Sequence, residues 1–171
     1  SRFSFIDVII CAFMDSDPVK SEFIQAMRGI TSTVTVISAK RGSSQQAMTA
    51  TSVASLSLEP PSMLVCINHE ASIHQVMDKG LGFCINVLTI GQQNVAEVCS
   101  HKEKEDQRFL EGNWSVLEDI PYNTDSQSNL FCQCVDTIRH KSHTVYIGEI
   151  TKVINKNISE PLLYKDGNYL D

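Results

Sequence analysis

Apolar and polar positions alternate in several short stretches of this chain, and alternation with a period of two residues is typical of strands. Two adjacent prolines, Pro60 and Pro61, separate the second stretch from the third. Because proline cannot donate to a sheet ladder, we expect this pair to connect two strands. The predicted strands cover residues 31–39, 48–58, 63–68, 83–88, 130–138 and 144–153.

Three short helices are predicted, one before the first strand and two between later strands. Asp17 followed by Pro18 is a typical helix start, and Phe23, Met27 and Ile30 then fall on one helical face. Residues 71–79 and 92–100 also show helical spacing of apolar side chains. About six strands with a few short helices favour a closed antiparallel barrel.

The 171 residues are enough for one well-buried domain, which we expect to span residues 14–171. Residues 1–13 are interpreted as an N-terminal extension, added or natural, because Met14 is a plausible start. Their apolar run contains Asp7 and is too short for a membrane span. No membrane association is therefore expected.

The formal net charge of −6 argues against a nucleic-acid partner, since such proteins usually carry a basic stripe. The six cysteines form no C-x-x-C pair and have no further ligands at metal-binding spacing. With no secretory leader beside them, we expect reduced, buried thiols in a cytoplasmic protein.

The stretch from Ala47 to Pro61, AMTATSVASLSLEPP, is rich in small and hydroxyl-bearing side chains. Its composition alone fits either a solvated sheet face or a wall against which a flat, polar-edged ligand lies. The stretch resembles the signature G-M-T-A-x-S-x-x-S-x-S-L-x-P-P of the flavin reductase family, with Ala47 in place of the glycine. The resemblance extends from about Phe23 to Tyr169 and includes the closing P-L-L-x-x-x-G-x-Y at 161–169.

The resemblance implies a mainly β fold with short helices, the antiparallel Greek-key FMN-binding split barrel, assembled as a homodimer. It implies an NAD(P)H:flavin oxidoreductase that transfers hydride to FMN or FAD and supplies reduced flavin to a separate monooxygenase. Two alternatives remain open. One is a related flavoprotein that retains FMN and reduces a small molecule, and the other is a non-catalytic flavin-binding module.

The flavin-binding residues implied by the resemblance come from two strands, a helix start and a helix end. Cys99 stands where the family commonly has an aromatic residue. The set consists of Ala47, Met48, Thr49, Thr51, Ser52, Cys66, Ile67, Asn68, Ser72, Ile73, Cys99 and Ser100. We expect Ser72 and Ile73 near the phosphate, at the start of the helix predicted over 71–79.

His143 is the candidate catalytic residue. The segment KSHTVYIGEI, starting at Lys141, resembles the family pattern G-D-H-T-x-x-x-G-E-V, in which this histidine lies near the nicotinamide. The alternative is a turn histidine that only caps a strand. NADPH differs from NADH by a 2′-phosphate, which an arginine commonly binds. No such arginine is identifiable in the sequence, and this favours NADH. His69, His74 and the charged run 101–106 are interpreted as surface features.

Overall fold

The structure is a computed structural model that describes residues 17–170, so the predictions for residues 1–13 and Met14 lie outside the described residues. Antiparallel strands dominate it, with two α-helices and three short 3-10 helices. In chain order the elements are α1 (Pro18–Arg28), β1 (Ser32–Thr33), β2 (Thr35–Arg41), β3 (Ser44–Ala50), β4 (Val53–Leu58), β5 (Pro61–Asn68), η1 (Ser72–Gln75), β6 (Gly82–Val87), η2 (Ile90–Gln92), α2 (Gln93–Ser100), η3 (Lys102–Gln107), β7 (Trp114–Leu117), β8 (Ile120–Asn123), β9 (Ser128–His140), β10 (His143–Asn155), β11 (Leu163–Lys165) and β12 (Asn168–Leu170).

Seven strands form one sheet in the order β3-β2-β6-β9-β10-β5-β4, and every neighbouring pair is antiparallel. The two edge strands, β3 and β4, are consecutive in the chain and are separated only by Thr51 and Ser52. Three Cα–Cα steps span at most about 11 Å. The sheet must therefore curl until its edges approach, which makes it a barrel that is split between β3 and β4.

The barrel interior is filled by side chains that alternate inward along the strands, among them Ile37, Val65, Phe83 and Ile85, all fully buried. Gly148 on β10 faces this core. A Cβ atom at Gly148 would lie 2.6 Å from Cζ of Phe83 and 2.7 Å from Cβ of Cys132. Only glycine allows β10 to pass this close to the core.

Several predicted elements are confirmed and others need correction. The α1 start is as expected, with the Asp17 side chain accepting a hydrogen bond from Val19 N at 3.0 Å. The 31–39 strand is divided at Val34. The backbone N–H of Val34 donates a hydrogen bond to Leu162 O, and its carbonyl accepts one from Leu88 N. The 48–58 strand is likewise divided at residues 51–52, and the helix predicted over 71–79 is only the single 3-10 turn η1. The β7–β8 hairpin was not predicted.

The Pro60-Pro61 connection is confirmed, since β4 and β5 form a hairpin in which Leu58 faces Pro61. The five cysteines within the described residues are all free thiols. No helix among residues 17–170 has both the length and the apolar character needed to cross a membrane.

A buried polar network joins the barrel wall to the β8 region around Asn86, which is completely buried. Its Nδ2 donates to Val36 O at 2.8 Å and to Ser38 Oγ at 2.9 Å. Its Oδ1 accepts from Asn123 N and from Asn129 Nδ2, both at 2.8 Å. One side chain therefore satisfies four groups that have little access to water.

Replacing Asn86 with leucine should destabilise the fold by about 2–4 kcal/mol. Leucine has a similar size but no polar atoms, so the buried partners of Asn86 would lose their hydrogen bonds. Chemical denaturation measures the change. Asn94→Leu, at an exposed position of α2, is the control and should change stability by less than about 0.5 kcal/mol. Equal stability of the two variants would contradict this account.

Candidate functional site

A cleft lies where the end of β3, the turn η1, the end of α2 and the start of η3 meet. It brings together five of the residues implied by the resemblance, and four further residues complete its wall. The lining consists of Met48, Thr49, Ser72, Cys99 and Ser100, together with Glu70, Ala71, Lys102 and Arg108.

Two of the predicted residues are already engaged in packing the cleft wall. Thr49 Oγ1 donates to Ala96 O at 2.6 Å, which fixes α2 against β3. Cys99 is 1% exposed, and burial raises the pKa of its thiol to about 12. Cys99 is therefore a neutral, space-filling part of the wall at physiological pH.

The polar floor of the cleft is organised around Glu105 on η3. Its Oε2 accepts from Ser72 Oγ at 2.7 Å, and its Oε1 accepts from Gln46 Nε2 at 2.7 Å. The hydrogen bond from Ser72 is the main cause of a lowered pKa of Glu105, and burial opposes it. The charges of Arg108 and Lys102 lower this pKa further.

Arg108 is a cation held almost entirely inside the protein, at 5% exposure. Its Nη1 donates to Gln46 Oε1 at 3.3 Å, and its Nη2 donates to His101 O at 3.2 Å. Its Nε is buried and has no hydrogen-bond partner among the described residues. A buried guanidinium with a spare donor beside a cleft is suited to an anionic ligand.

Sequence reasoning missed Gln46, Lys102, Glu105 and Arg108. The run 101–106 was interpreted as a solvated face, and Glu103 is indeed exposed, but Glu105 turns inward. The signal that could have identified Arg108 is the Arg-Phe pair that follows this run, which the family often shows.

Thr51 and Ser52 lie away from this cleft. They line a second, wider cavity of about 300 Å³ that opens beneath α1. The apolar side of that cavity is formed by Phe23, Met27 and Tyr164, among others. Seven of the twelve predicted flavin residues are therefore divided between two depressions, and the other five line neither of them.

Three further predicted residues expose no side-chain surface. Ala47, Ile67 and Ile73 are each 0% exposed and belong to the hydrophobic clusters. None of the three offers surface to a ligand in this structure. Cys66 and Asn68, near the end of β5, are partly exposed, and Asn68 Oδ1 accepts from Glu70 N at 2.9 Å to hold the turn before Ser72.

His143 begins β10 and pairs with Asn68 of β5. Ser142 Oγ lies 2.9 Å from its Nδ1, which orients the ring and leaves Nε2 for a ligand. His69 N donates to Ser142 O at 2.9 Å, so the loop carrying His143 is tied to the end of β5. The candidate catalytic residue is thus connected through a short backbone path to the turn that carries Ser72.

Thr144 links the same two regions through side chains. Its Oγ1 lies 3.0 Å from Nε2 of both His69 and His74, although the residue is only 3% exposed. The hydroxyl has one hydrogen, so it donates to one ring and accepts from the other, and this arrangement requires neutral imidazole on at least one side. Burial, with smaller effects of His69 and Arg139, lowers the pKa of His74. These histidines join η1 to β10.

A split antiparallel barrel with a cationic cleft at one strand end is typical of a class of flavin-binding proteins. Comparison with known proteins places the chain in the same class. Residues 27–171 match the family model described as "Flavin reductase like domain". The chain belongs to this family.

Two curated relatives illustrate it. The reductase component of the FADH(2)-dependent resorcinol hydroxylase from Rhizobium sp. (strain MTP-10005) is 33% identical over 154 residues, which cover 88% of this chain and 86% of that protein. The FMN reductase (NADH) RutF from Methylorubrum populi is 30% identical over 150 residues, which cover 87% of this chain and 74% of that protein.

Solved structures give the same result. The NADH:FAD oxidoreductase SgcE6 of Streptomyces globisporus C-1027, in complex with NAD and FAD fragments, superposes with a TM-score of 0.82 at 25% identity, covering 91% of this chain and 94% of that one. The flavin reductase PheA2 superposes with a TM-score of 0.75 at 26% identity, covering 88% and 95%. The predictions of the family, of the split-barrel fold and of an NAD(P)H:flavin oxidoreductase are confirmed.

Proposed function

We propose that this chain is the reductase component of a two-component monooxygenase, which oxidises NADH, reduces FMN or FAD and passes the reduced flavin to a separate oxygenase. The observation that carries the proposal is the cleft itself, where the family's hydroxyl-bearing strand meets Ser72 and two cations. The similarity to the resorcinol hydroxylase reductase supports the oxygenase partner.

The residues present fit a flavin phosphate. The buried Arg108 keeps one unpartnered donor, and Lys102 and Ser72 line the same cleft. The fit differs from the expected one in one respect. Because η1 has only four residues, its dipole contributes little, and the two cations carry the attraction for the phosphate.

When bound, the nicotinamide supplies a hydride and the flavin ring accepts it. The chain's own residues bind, orient and exclude water. Met48 and Thr49 form part of the wall of the cleft, and the fully buried Ala47 and Ile67 support the strands behind it. Thr51 and Ser52 line the separate, wider cavity beneath α1. Holding two ligands in one orientation supplies much of the rate enhancement.

His143 is assigned to nicotinamide positioning. Its ring is oriented through Nδ1 by Ser142, so Nε2 points a single donor or acceptor at a ligand. Because the β10 start is tied to η1 through Thr144, the histidine is held at a fixed position relative to the phosphate-binding turn.

The active form is proposed to be a homodimer. The edge strand β4 is exposed along most of its length, and Leu58 at its end is 86% exposed. The apolar face of α1 adds Val19 at 75% and Phe23 at 61% exposure. An unpaired edge strand beside exposed apolar side chains is typical of a self-association surface.

Purified protein should oxidise NADH only when flavin is added, and FMN, FAD and riboflavin should be assayed in parallel. Turnover of a small substrate on retained flavin would favour the flavoprotein alternative. Absence of NADH oxidation with all three flavins would favour the non-catalytic module.

His143→Ala should raise the KM for NADH about tenfold while changing the Kd for flavin less than about twofold, because the loss of one positioning contact is worth about 1.4 kcal/mol. Steady-state kinetics and flavin fluorescence quenching measure the two constants. His140→Ala is the matched control, since the exposed His140 lies directly across the β9–β10 pair from His143. Unchanged kinetics in His143→Ala would remove this residue from the site.

Equilibrium sedimentation of the wild-type protein should give twice the mass of one chain, and Leu58→Asp should shift the equilibrium toward the single-chain mass, because a charge would be buried without a partner. Val116→Asp, on the separate β7–β8 sheet, is the control and is 53% exposed in the wild type. A single-chain mass for the wild type would contradict the dimer.

A further inference from the structure

The carboxylate of Glu105 is hydrogen-bonded to Ser72, one of the residues that line the cleft. Both oxygens of Glu105 are occupied, one by Ser72 Oγ and one by Gln46 Nε2, each at 2.7 Å. The electrostatic influence of Arg108 and Lys102 also reaches this carboxylate. Glu105 therefore uses the hydroxyl and the positive charge that would otherwise be offered to an anionic ligand.

Charge balance in the cleft separates two cases. Glu70 also lines the cleft, so with Glu105 in place the charges of Lys102 and Arg108 are balanced by two carboxylates, and no net positive charge is left for a dianionic phosphate monoester. Without the Glu105 charge, one net positive charge remains to attract such a group. The buried Nε of Arg108, which has no partner in the described part of the chain, shows that the carboxylate does not use all the donors.

The backbone allows Glu105 to be displaced. Within η3 the backbone of Lys104 is non-helical, with φ −104° and ψ 16°, and this kink lies between the exposed Glu103 and the inward-facing Glu105. Glu105 is also partly exposed, so its carboxylate has solvent beside it when it leaves Ser72.

We propose that Glu105 is a specificity-determining residue, whose carboxylate competes with the phosphate of an incoming flavin for Ser72 and the two cations. This inference rests on the proposed function. Riboflavin, which has no phosphate, escapes the competition. FMN meets it fully, because its terminal phosphate carries close to two charges, and FAD meets it less, because each phosphate of its diphosphate carries one.

The test is Glu105→Gln, which keeps the shape of the side chain, removes its charge and replaces one accepting oxygen with a donating amide nitrogen. The matched control is Glu103→Gln on the same 3-10 helix, which makes the same change of net charge at an exposed position. Dissociation constants for riboflavin, FMN and FAD are measured by quenching of flavin fluorescence for each protein.

Glu105→Gln should tighten FMN binding about tenfold, tighten FAD binding less and leave riboflavin binding unchanged, since removing one charge at hydrogen-bond range from a partly exposed anion is worth about one factor of ten. Glu103→Gln should change all three constants by less than about twofold, because exposed charges are screened. Equal changes for riboflavin and FMN, or weaker FMN binding, would overturn the proposal.

A second measurement needs no flavin. Millimolar inorganic phosphate should raise the Tm of Glu105→Gln more than it raises the Tm of the wild type, because at a given concentration a tighter-binding ligand stabilises the fold more. If Glu105→Gln does not fold, Glu105→Asp is the second variant. Its side chain is one carbon shorter, which moves the carboxylate away from Ser72, and FMN binding should tighten relative to riboflavin binding by a smaller factor. An unchanged FMN-to-riboflavin ratio there would also overturn the proposal. A protein that oxidises no NADH with any flavin would refute the proposed function, whereas the phosphate measurement would still test Glu105.

Discussion

The two-residue link between β3 and β4 is the constraint on which the rest of the structure depends. These strands form opposite edges of a seven-stranded sheet, yet only Thr51 and Ser52 separate them. The sheet has to close for so short a connection to reach, and the closed sheet cannot pair its two edges along their length. The resulting split puts the hydroxyl-rich end of β3 at the protein surface, where the cleft begins.

Around that split, a small number of polar contacts fix the neighbouring elements. Thr49 fastens α2 to β3 through Ala96, and Thr144 fastens η1 to β10 through His69 and His74. Because these contacts are half-buried or buried, they are stronger than the same contacts would be in water. The cleft is therefore preformed from elements that are distant in sequence, as ligand sites usually are.

The sequence was most informative where chemistry is local. Local residue properties predicted three features correctly: the Pro60-Pro61 hairpin, the Asp17 cap and the strand that carries Asn86. These properties act within a few residues and do not depend on the rest of the fold. The break at residues 51–52 was not predictable, because alternation continues across it while the edges it joins are set by the whole sheet. The helix expected at 71–79 is only one turn long. Ile73, Val76 and Met77 are all buried in the core, so their spacing reflects core packing and not one face of a longer helix. Likewise, nothing in the run 101–106 separates Glu103 from Glu105, since the contact with Ser72 spans 33 residues.

An internal carboxylate in a phosphate-binding cleft agrees with the work of a reductase that hands its product to another protein. Tight retention of flavin would oppose delivery, because affinity differences among related complexes arise mainly from the dissociation rate. A carboxylate that returns to Ser72 and Gln46 as the phosphate leaves accepts a hydrogen bond from each, so these two donors are not left unsatisfied. The positive charges of Arg108 and Lys102 then act on the carboxylate instead of the phosphate, which lowers the cost of release. If Glu105 competes with the phosphate as proposed, weak retention of flavin follows from the cleft's own charges and needs no movement of the barrel.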